Sequence, residues 1–263
     1  MFVDYLRGLL PRPSTVELPD TVRGTETRID LDHLARYARV CGYTLTGPVP
    51  PTYPHVLGFA SGLALMADRA FPFRLPGLVH VRQHITVRRP IAVTEALGVR
   101  VHAENLAPHR RGATVDVVTD LFAGDEAVWS GRSTYLRRGA AVPGEPADED
   151  APEPVPPTTL LDLPGGLGRR YAAVSGDRNP IHLSALTARP FGFRTAIAHG
   201  MWSAARCLAA LSGRLPDAYA VDVRFVRPVR IPGRVGFGAR TGDGAFALSA
   251  KDGGKLLVAG SWA

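Results

Sequence analysis

The chain has 263 residues, 45% apolar and 21% charged, enough for one large or two small domains with a real core and ordinary for a globular protein. Its net charge is +7, and the only lysines are Lys251 and Lys255, so nearly every cation is an arginine suited to bidentate phosphate contact. Cys41 and Cys207 are the only cysteines, which speaks against a disulfide framework and a cysteine zinc site, and no apolar run is long enough to span a bilayer.

The opening MFVDYLRGLLPRP is interrupted by Asp4 and Pro11 and does not read as a secretory signal, which makes the cytoplasm the default expectation. Val56, Phe59, Ala60, Leu63, Ala64 and Ala67 recur at helical spacing. LVHVRQHITV, ALGVRVHAENL, GATVDVVTDLF and EAVWSGRSTYL follow as strand-like runs parted by Gly and Asp-Gly turns, the pattern of a meandering antiparallel sheet. Residues 139–158, rich in Pro, Ala and acid, cannot bury a core and read as a linker between an N-terminal unit, 1–138, and a C-terminal unit, 159–263. In the second unit Met201, Ala204, Ala205, Leu208 and Leu211 repeat the helical spacing up to Ser212-Gly213. AYAVDVRFVRPV, RVGFGART, AFALSAKD and KLLVAGSWA then read as strands.

The units repeat each other. RYARVCGY (36–43) matches RYAAVSGD (170–177) at five of eight positions, an offset of 134; Gly58 matches Gly200, and Val81-Arg82 matches Val223-Arg224, at an offset of 142. Three matches in one order indicate duplication, each copy being an apolar, Ala-rich helix wrapped by sheet. The first copy has Tyr43 where the second has Asp177, so acid chemistry belongs to the second, and the first is expected to supply mostly apolar wall.

SGDRNPIH (175–182) holds Asp177 and His182 on a short segment stiffened by Pro180. The plain readings are an Asx turn or helix cap for Asp177 and a turn former before proline for Asn179. The segment can also bring an acid and an imidazole to one water. AHGMW opens the second helix; free N–H groups at a helix start suit an oxyanion, and Gly200 leaves the approach open. His199 reads as a structural hydrogen-bonding residue. His80 and His84, four apart in a strand, are placed on one face without a visible third metal ligand.

YAAVSGDRNPIHLSALTARPFGFRTAIAHGMW (171–202) resembles the MaoC-like (R)-specific enoyl-thioester hydratases and 3-hydroxyacyl-thioester dehydratases. Tyr171, Ser175, Gly176, Asp177, Asn179, Pro180, His182, Gly192-Phe193 and Ala198-His199-Gly200-Met201 follow that signature in order; the rest of the chain shares only the layout. The resemblance implies an α+β double hot-dog fold, with two tandem antiparallel sheets each wrapped around a central helix. It implies reversible syn hydration of trans-2-enoyl thioesters to (3R)-3-hydroxyacyl thioesters, in fatty acid or related acyl metabolism. Asp177 and His182 would share the water, the Gly200 amide would hold the thioester oxygen, and Asn179 would have an orienting or structural role, its amide holding Asp177 or the loop, or would bind the substrate. No metal or redox cofactor is implied, and the acyl group would arrive on coenzyme A or an acyl carrier protein. Tyr43, Phe193, Arg189 and Arg194 are the expected acyl or coenzyme A contacts. Nucleic acid and membrane partners are not expected, since there is no helix-turn-helix, zinc spacing or aromatic–basic interleaving. Monomer and homodimer both fit. A thioesterase of the same fold and a non-catalytic thioester-binding protein are the alternatives.

Overall fold

The computed structural model describes residues 17–148, 151–251 and 253–263; the opening MFVDYLRGLLPRP and linker residues 149–150 lie outside the described residues. The first unit runs β1 (Arg23–Arg28), α1 (Leu31–Cys41), α2 (Tyr53–Ala67), β2 (Leu78–Val87), β3 (Ala96–His109), β4 (Gly112–Ala123) and β5 (Glu126–Arg138). The second runs β6 (Thr159–Leu163), α3 (Leu167–Ser175), α4 (Pro180–Leu183), α5 (Ala185–Ala188), a 3-10 turn (Arg189–Phe191), β7 (Ala196–Ile197), α6 (Gly200–Ala210), β8 (Tyr219–Phe225), β9 (Arg230–Ile231), β10 (Gly233–Arg240), β11 (Ala245–Ala250) and β12 (Leu256–Trp262).

Ten strands make one antiparallel sheet in the order β1-β3-β4-β5-β2-β8-β12-β11-β10-β6. The order is one five-strand layout written twice and reflected about the β2–β8 junction. There Arg82 pairs with Arg224, its own counterpart in the repeat, so a pseudo-twofold axis passes between them. Arg82 Nε donates to the Asp222 carboxylate at 2.7 and 3.0 Å across the same junction. This is a double hot-dog fold whose two sheets join edge to edge.

The helices repeat as well. Asp30 caps α1 by accepting from the Asp32 and His33 amides. α1 ends at Gly42 (φ 83°) and α3 at Gly176 (φ 79°), equivalent glycines in the left-handed conformation that residues with a Cβ avoid. α1 and α3 pack together and set Tyr37 beside its counterpart Tyr171, ring centroids 6.2 Å apart. Trp202 Nε1 donates to the Val40 carbonyl at 3.0 Å, tying α6 to α1.

The two central helices meet the sheet differently. α6 buries Met201, Ala204, Ala205 and Leu208 as its spacing predicts. In α2 the buried side includes Gly58, Gly62 and Leu65, while Val56, Phe59 and Ala60 keep some exposure. A Cβ on Gly58 would stand 2.5 Å from Thr119 Cγ2 of β4, so the missing side chain is what lets helix and sheet approach. In the Pro-rich segment Val155 is buried, and Pro156 and Pro157 lie over Gly238 and Gly236 of β10. Among the described residues no helix is long and apolar enough to cross a membrane.

Candidate active site

Gly176 ends α3 and the chain turns at once. The Asp177 amide donates to Ser175 Oγ at 3.2 Å, and Asp177 Oδ1 accepts from the Asn179 amide at 3.0 Å. Asn179 Oδ1 accepts from the Ile181 amide at 3.3 Å and so caps α4, with Pro180 at its first position. The Asx turn and the helix cap are therefore both present, and together they fix the direction of the Asp177 carboxylate. The backbone amide of Asn179 thus holds the Asp177 carboxylate.

The cap sets His182 on α4, 8% exposed. Its Nδ1 lies 2.8 Å from the Ile197 carbonyl. A carbonyl only accepts, so Nδ1 carries the proton and Nε2 presents a lone pair. Burial pushes the His182 pKa down, against the opposing pull of Asp177, which keeps the ring neutral at pH 7.

His199 is the cap residue of α6 and is 2% exposed. Its Nε2 lies 3.0 Å from the Asp177 carbonyl, to which it donates, and 3.9 Å from Asp177 Oδ2. Its ring stacks on His182 at 3.8 Å between centroids, 25° from parallel. Burial, reinforced by His182, pushes its pKa down to about 3. The expected structural hydrogen bond is there, and the residue also backs the imidazole of His182.

Asp177, His182 and His199 each bring one ligand-capable atom within 4.8 Å of the others. A zinc ion would need imidazole lone pairs converging in the ring planes at about 2.0–2.1 Å. Here the two rings lie face to face, 25° from parallel, which does not aim both free nitrogens at one point in their ring planes.

Gly200, bonded to His199, opens α6, and no side chain caps that end. Its amide lies at the positive end of the helix dipole. A Cβ on Gly200 would stand 3.1 Å from the Phe225 ring of β8.

The first unit brings more than apolar wall. His55 of α2, His80 of β2 and Tyr135 of β5 all lie within the field of the Asp177 carboxylate. Burial lowers the pKa of His55 to about 4 and that of His80 to about 3. His80 and His84 do not share a face. A bulge between His80 and Arg82 breaks the alternation and turns His80 onto the ring of Tyr135, while His84 stays beside Asp222, its Nδ1 3.5 Å from Oδ2. No residue pattern announces that bulge.

The remaining expected contacts have other hydrogen-bond or surface surroundings. The Tyr43 hydroxyl is 3.1 Å from Thr52 Oγ1, to which Tyr37 donates at 2.8 Å; it belongs to a cluster of hydroxyls beside the thiols of Cys41 and Cys207, both pushed up to about 12 by burial. Phe193 lines an open depression of about 370 Å³ with Arg189, Gly192 and Arg194; both arginines are exposed. A larger depression, about 550 Å³, at Glu17, Leu18, Asp20, Leu106, Val142 and Pro143 contains none of the expected site residues.

Burial holds His55, His80, His182 and His199 below the ordinary histidine value. In the unfolded chain they titrate near pH 6.5. Between the folded and unfolded values the unfolded state binds more protons, so stability rises with pH there. The contribution is complete above about pH 6.5 and is lost as pH falls toward 4. The melting temperature is therefore expected to drop steeply between pH 7 and 5 in scanning calorimetry; a flat profile contradicts the neutral burial of these rings.

Two hot-dog units, of which, among the described residues, the second sets an acid and a neutral imidazole beside a helix N-terminus, define a hot-dog acyl-thioester enzyme. Residues 145–245 match the family model of the MaoC like domain. The chain is 44% identical over 250 residues, 93% of its length and 89% of the relative's, to the 3-hydroxyacyl-thioester dehydratase X of Mycobacterium tuberculosis. It belongs to the MaoC-like dehydratases. The crystal structure of HtdX of Mycobacterium tuberculosis superposes with a TM-score of 0.81 at 40% identity, covering 92% of this chain and 99% of that one. Over 65 residues, 23% of this chain and 45% of the relative, it is 43% identical to the (R)-specific enoyl-CoA hydratase of Rhodospirillum rubrum.

Proposed function

We propose that this protein adds water reversibly across the double bond of trans-2-enoyl thioesters, giving (3R)-3-hydroxyacyl thioesters. The observation that carries the reading is the neutral His182, its Nδ1 proton held by the Ile197 carbonyl and its Nε2 lone pair available beside Asp177. A water held by Asp177 and His182 Nε2 loses a proton to the pair as its oxygen bonds to C3. Charge moves to the thioester oxygen, which the Gly200 amide receives; one preorganised donor of this kind is worth about 3–4 kcal/mol. The pair then returns a proton to C2 from the same side, so H and OH add syn. In reverse the same groups take the C2 proton and release water. The C3–O and C2–H bonds form as the double bond is consumed and a water O–H is broken, with no external oxidant or reductant, and the reading requires no metal or redox cofactor. The relatives named as a dehydratase and an (R)-specific hydratase support both directions and the configuration. For the carrier, the depression at Arg189, Phe193 and Arg194 offers guanidinium groups to the phosphates of coenzyme A and a ring to its base.

The test is a spectrophotometric assay of crotonyl-, octenoyl- and longer enoyl-CoA. Loss of enoyl absorbance with the thioester intact is expected; release of free thiol identifies a thioesterase and refutes the reading. Tyr43→Phe is expected to change hydration of the shortest substrate by less than about tenfold, against the roughly 10²–10⁴ of a lost acid–base group, while altering preference among chain lengths. Loss of turnover as complete as that of an Asp177 variant would place Tyr43 in the chemistry.

A further inference from the structure

Two stretches supply the chemistry above: the turn that carries Asp177 and His182, and the start of α6 at Gly200. His199 joins them. Its backbone runs directly into Gly200 from the cap position of α6. Its side chain crosses to the turn, where Nε2 donates to the Asp177 carbonyl at 3.0 Å, 22 residues back along the chain. Its ring lies against His182 at 3.8 Å between centroids, and Tyr171 packs on it at 4.9 Å. One residue thus touches the acid and the imidazole and is bonded to the oxyanion donor.

Packing alone does not explain a histidine here. A carbonyl only accepts, so the proton of this neutral ring sits on Nε2 and Nδ1 is a bare acceptor. Nδ1 is buried, and among the described residues it has no hydrogen-bond partner. A buried polar atom left unpaired costs stability. A phenylalanine ring would fill the same 2%-exposed position without that cost. What phenylalanine lacks is the donor. The bond it would lose holds the backbone of Asp177 to α6, while the Asn179 amide holds the carboxylate of the same residue at 3.0 Å.

We propose that His199 is a positioning residue whose Nε2–H bond to the Asp177 carbonyl sets the separation between the acid–imidazole pair and the Gly200 amide. The proposal rests on the hydration reading. Addition of water needs both ends of the enoyl thioester served together, the water at C3 and the donor at the thioester oxygen. Their spacing therefore enters the rate, and an error of about 1 Å costs about 10²-fold. His199 itself touches neither the water nor the thioester, so its loss should appear in kcat and leave KM near the wild-type value.

The experiment measures kcat and KM for crotonyl-CoA hydration in the wild-type protein, His199→Phe and His199→Gln. Phenylalanine keeps a ring against His182 and removes the donor. Glutamine removes the ring and carries an N–H at about the reach of Nε2. Folding is checked by circular dichroism, and every assay runs well below the melting temperature of its variant. His199→Phe is expected to lower kcat by about tenfold to 10²-fold with KM little changed, and His199→Gln to recover a large part of that loss. Wild-type kcat in His199→Phe overturns the proposal. So does a loss in His199→Gln as deep as in His199→Phe, or a loss carried by KM. If the wild-type protein does not hydrate crotonyl-CoA or longer enoyl-CoA at all, the hydration reading falls and the proposal with it; if it hydrates them and His199→Phe does so equally well, only the role of His199 falls.

Discussion

Asp177→Asn is expected to keep the fold and lower enoyl-CoA hydration by roughly two to four orders of magnitude, the usual size of a lost general acid–base group. Asparagine is nearly isosteric with aspartate, and its side-chain oxygen can still accept from the Asn179 amide, the bond that Asp177 Oδ1 makes at 3.0 Å. The turn into α4 therefore survives, but an amide does not take a proton from water. His182→Ala is expected to cost a similar factor, because it removes the Nε2 lone pair beside Asp177. If both groups act on one water, the double variant loses far less than the product of the single losses. Melting temperature and hydration measured on the same purified variants separate the chemistry from the turn. An Asp177→Asn protein that melts normally and turns over at the wild-type rate would remove Asp177 from the mechanism.

Gly168→Ala is expected to damage the site without touching a reacting group. Gly168 lies in the first turn of α3, and a Cβ there would stand 1.8 Å from the His182 carbonyl oxygen and 2.9 Å from its carbon. Backbone cannot swing aside as the end of a flexible side chain can, so α3 and α4 must move apart. The displaced residue is the one that carries the catalytic imidazole. Overpacking of this kind costs about 1–3 kcal/mol, and a shift of about 1 Å in a catalytic group costs about 10²-fold in rate. Gly166→Ala is the control: its Cβ would meet nothing nearer than 3.9 Å, and it should retain both stability and activity. A Gly168→Ala protein with unchanged melting temperature and turnover would contradict the packing of α3 on α4.

Much of the fold is legible in the residue pattern, because a strand with one face on the core has to alternate. LVHVRQHITV coincides with β2, and the other strand-like runs overlap β3, β4, β5, β8, β10, β11 and β12. The edge strands β1 and β6 are not legible. RGTETR and TLLDL are short and mostly polar or exposed, as edges that avoid sticking to other chains tend to be. The repeat RYARVCGY/RYAAVSGD was visible as similarity, but its reason is spatial: Tyr37 meets Tyr171, and Gly42 and Gly176 end equivalent helices.

The site divides the same way. Asp177, Asn179 and His182 are neighbours in sequence, and the turn that carries them is built from bonds between residues two apart, so a motif can report them. His55, His80 and Tyr135 come from α2, β2 and β5, and only the folded sheet brings them together. His80 reaches the helix side through a bulge, which defeats any argument from alternation. His199 had a usable signal, since a histidine at the cap of the helix that opens with Gly200 must lie near the site.

The central claim is that one acid–imidazole pair, acting on one water, serves both carbons of the double bond. The most direct test is hydration of a trans-2-enoyl-CoA in deuterated water, followed by determination of configuration at C2 and C3. The account predicts a single (3R)-3-hydroxyacyl-CoA whose C2 deuterium lies on the face that received the hydroxyl. Deuterium on the opposite face, or a (3S) product, would contradict it.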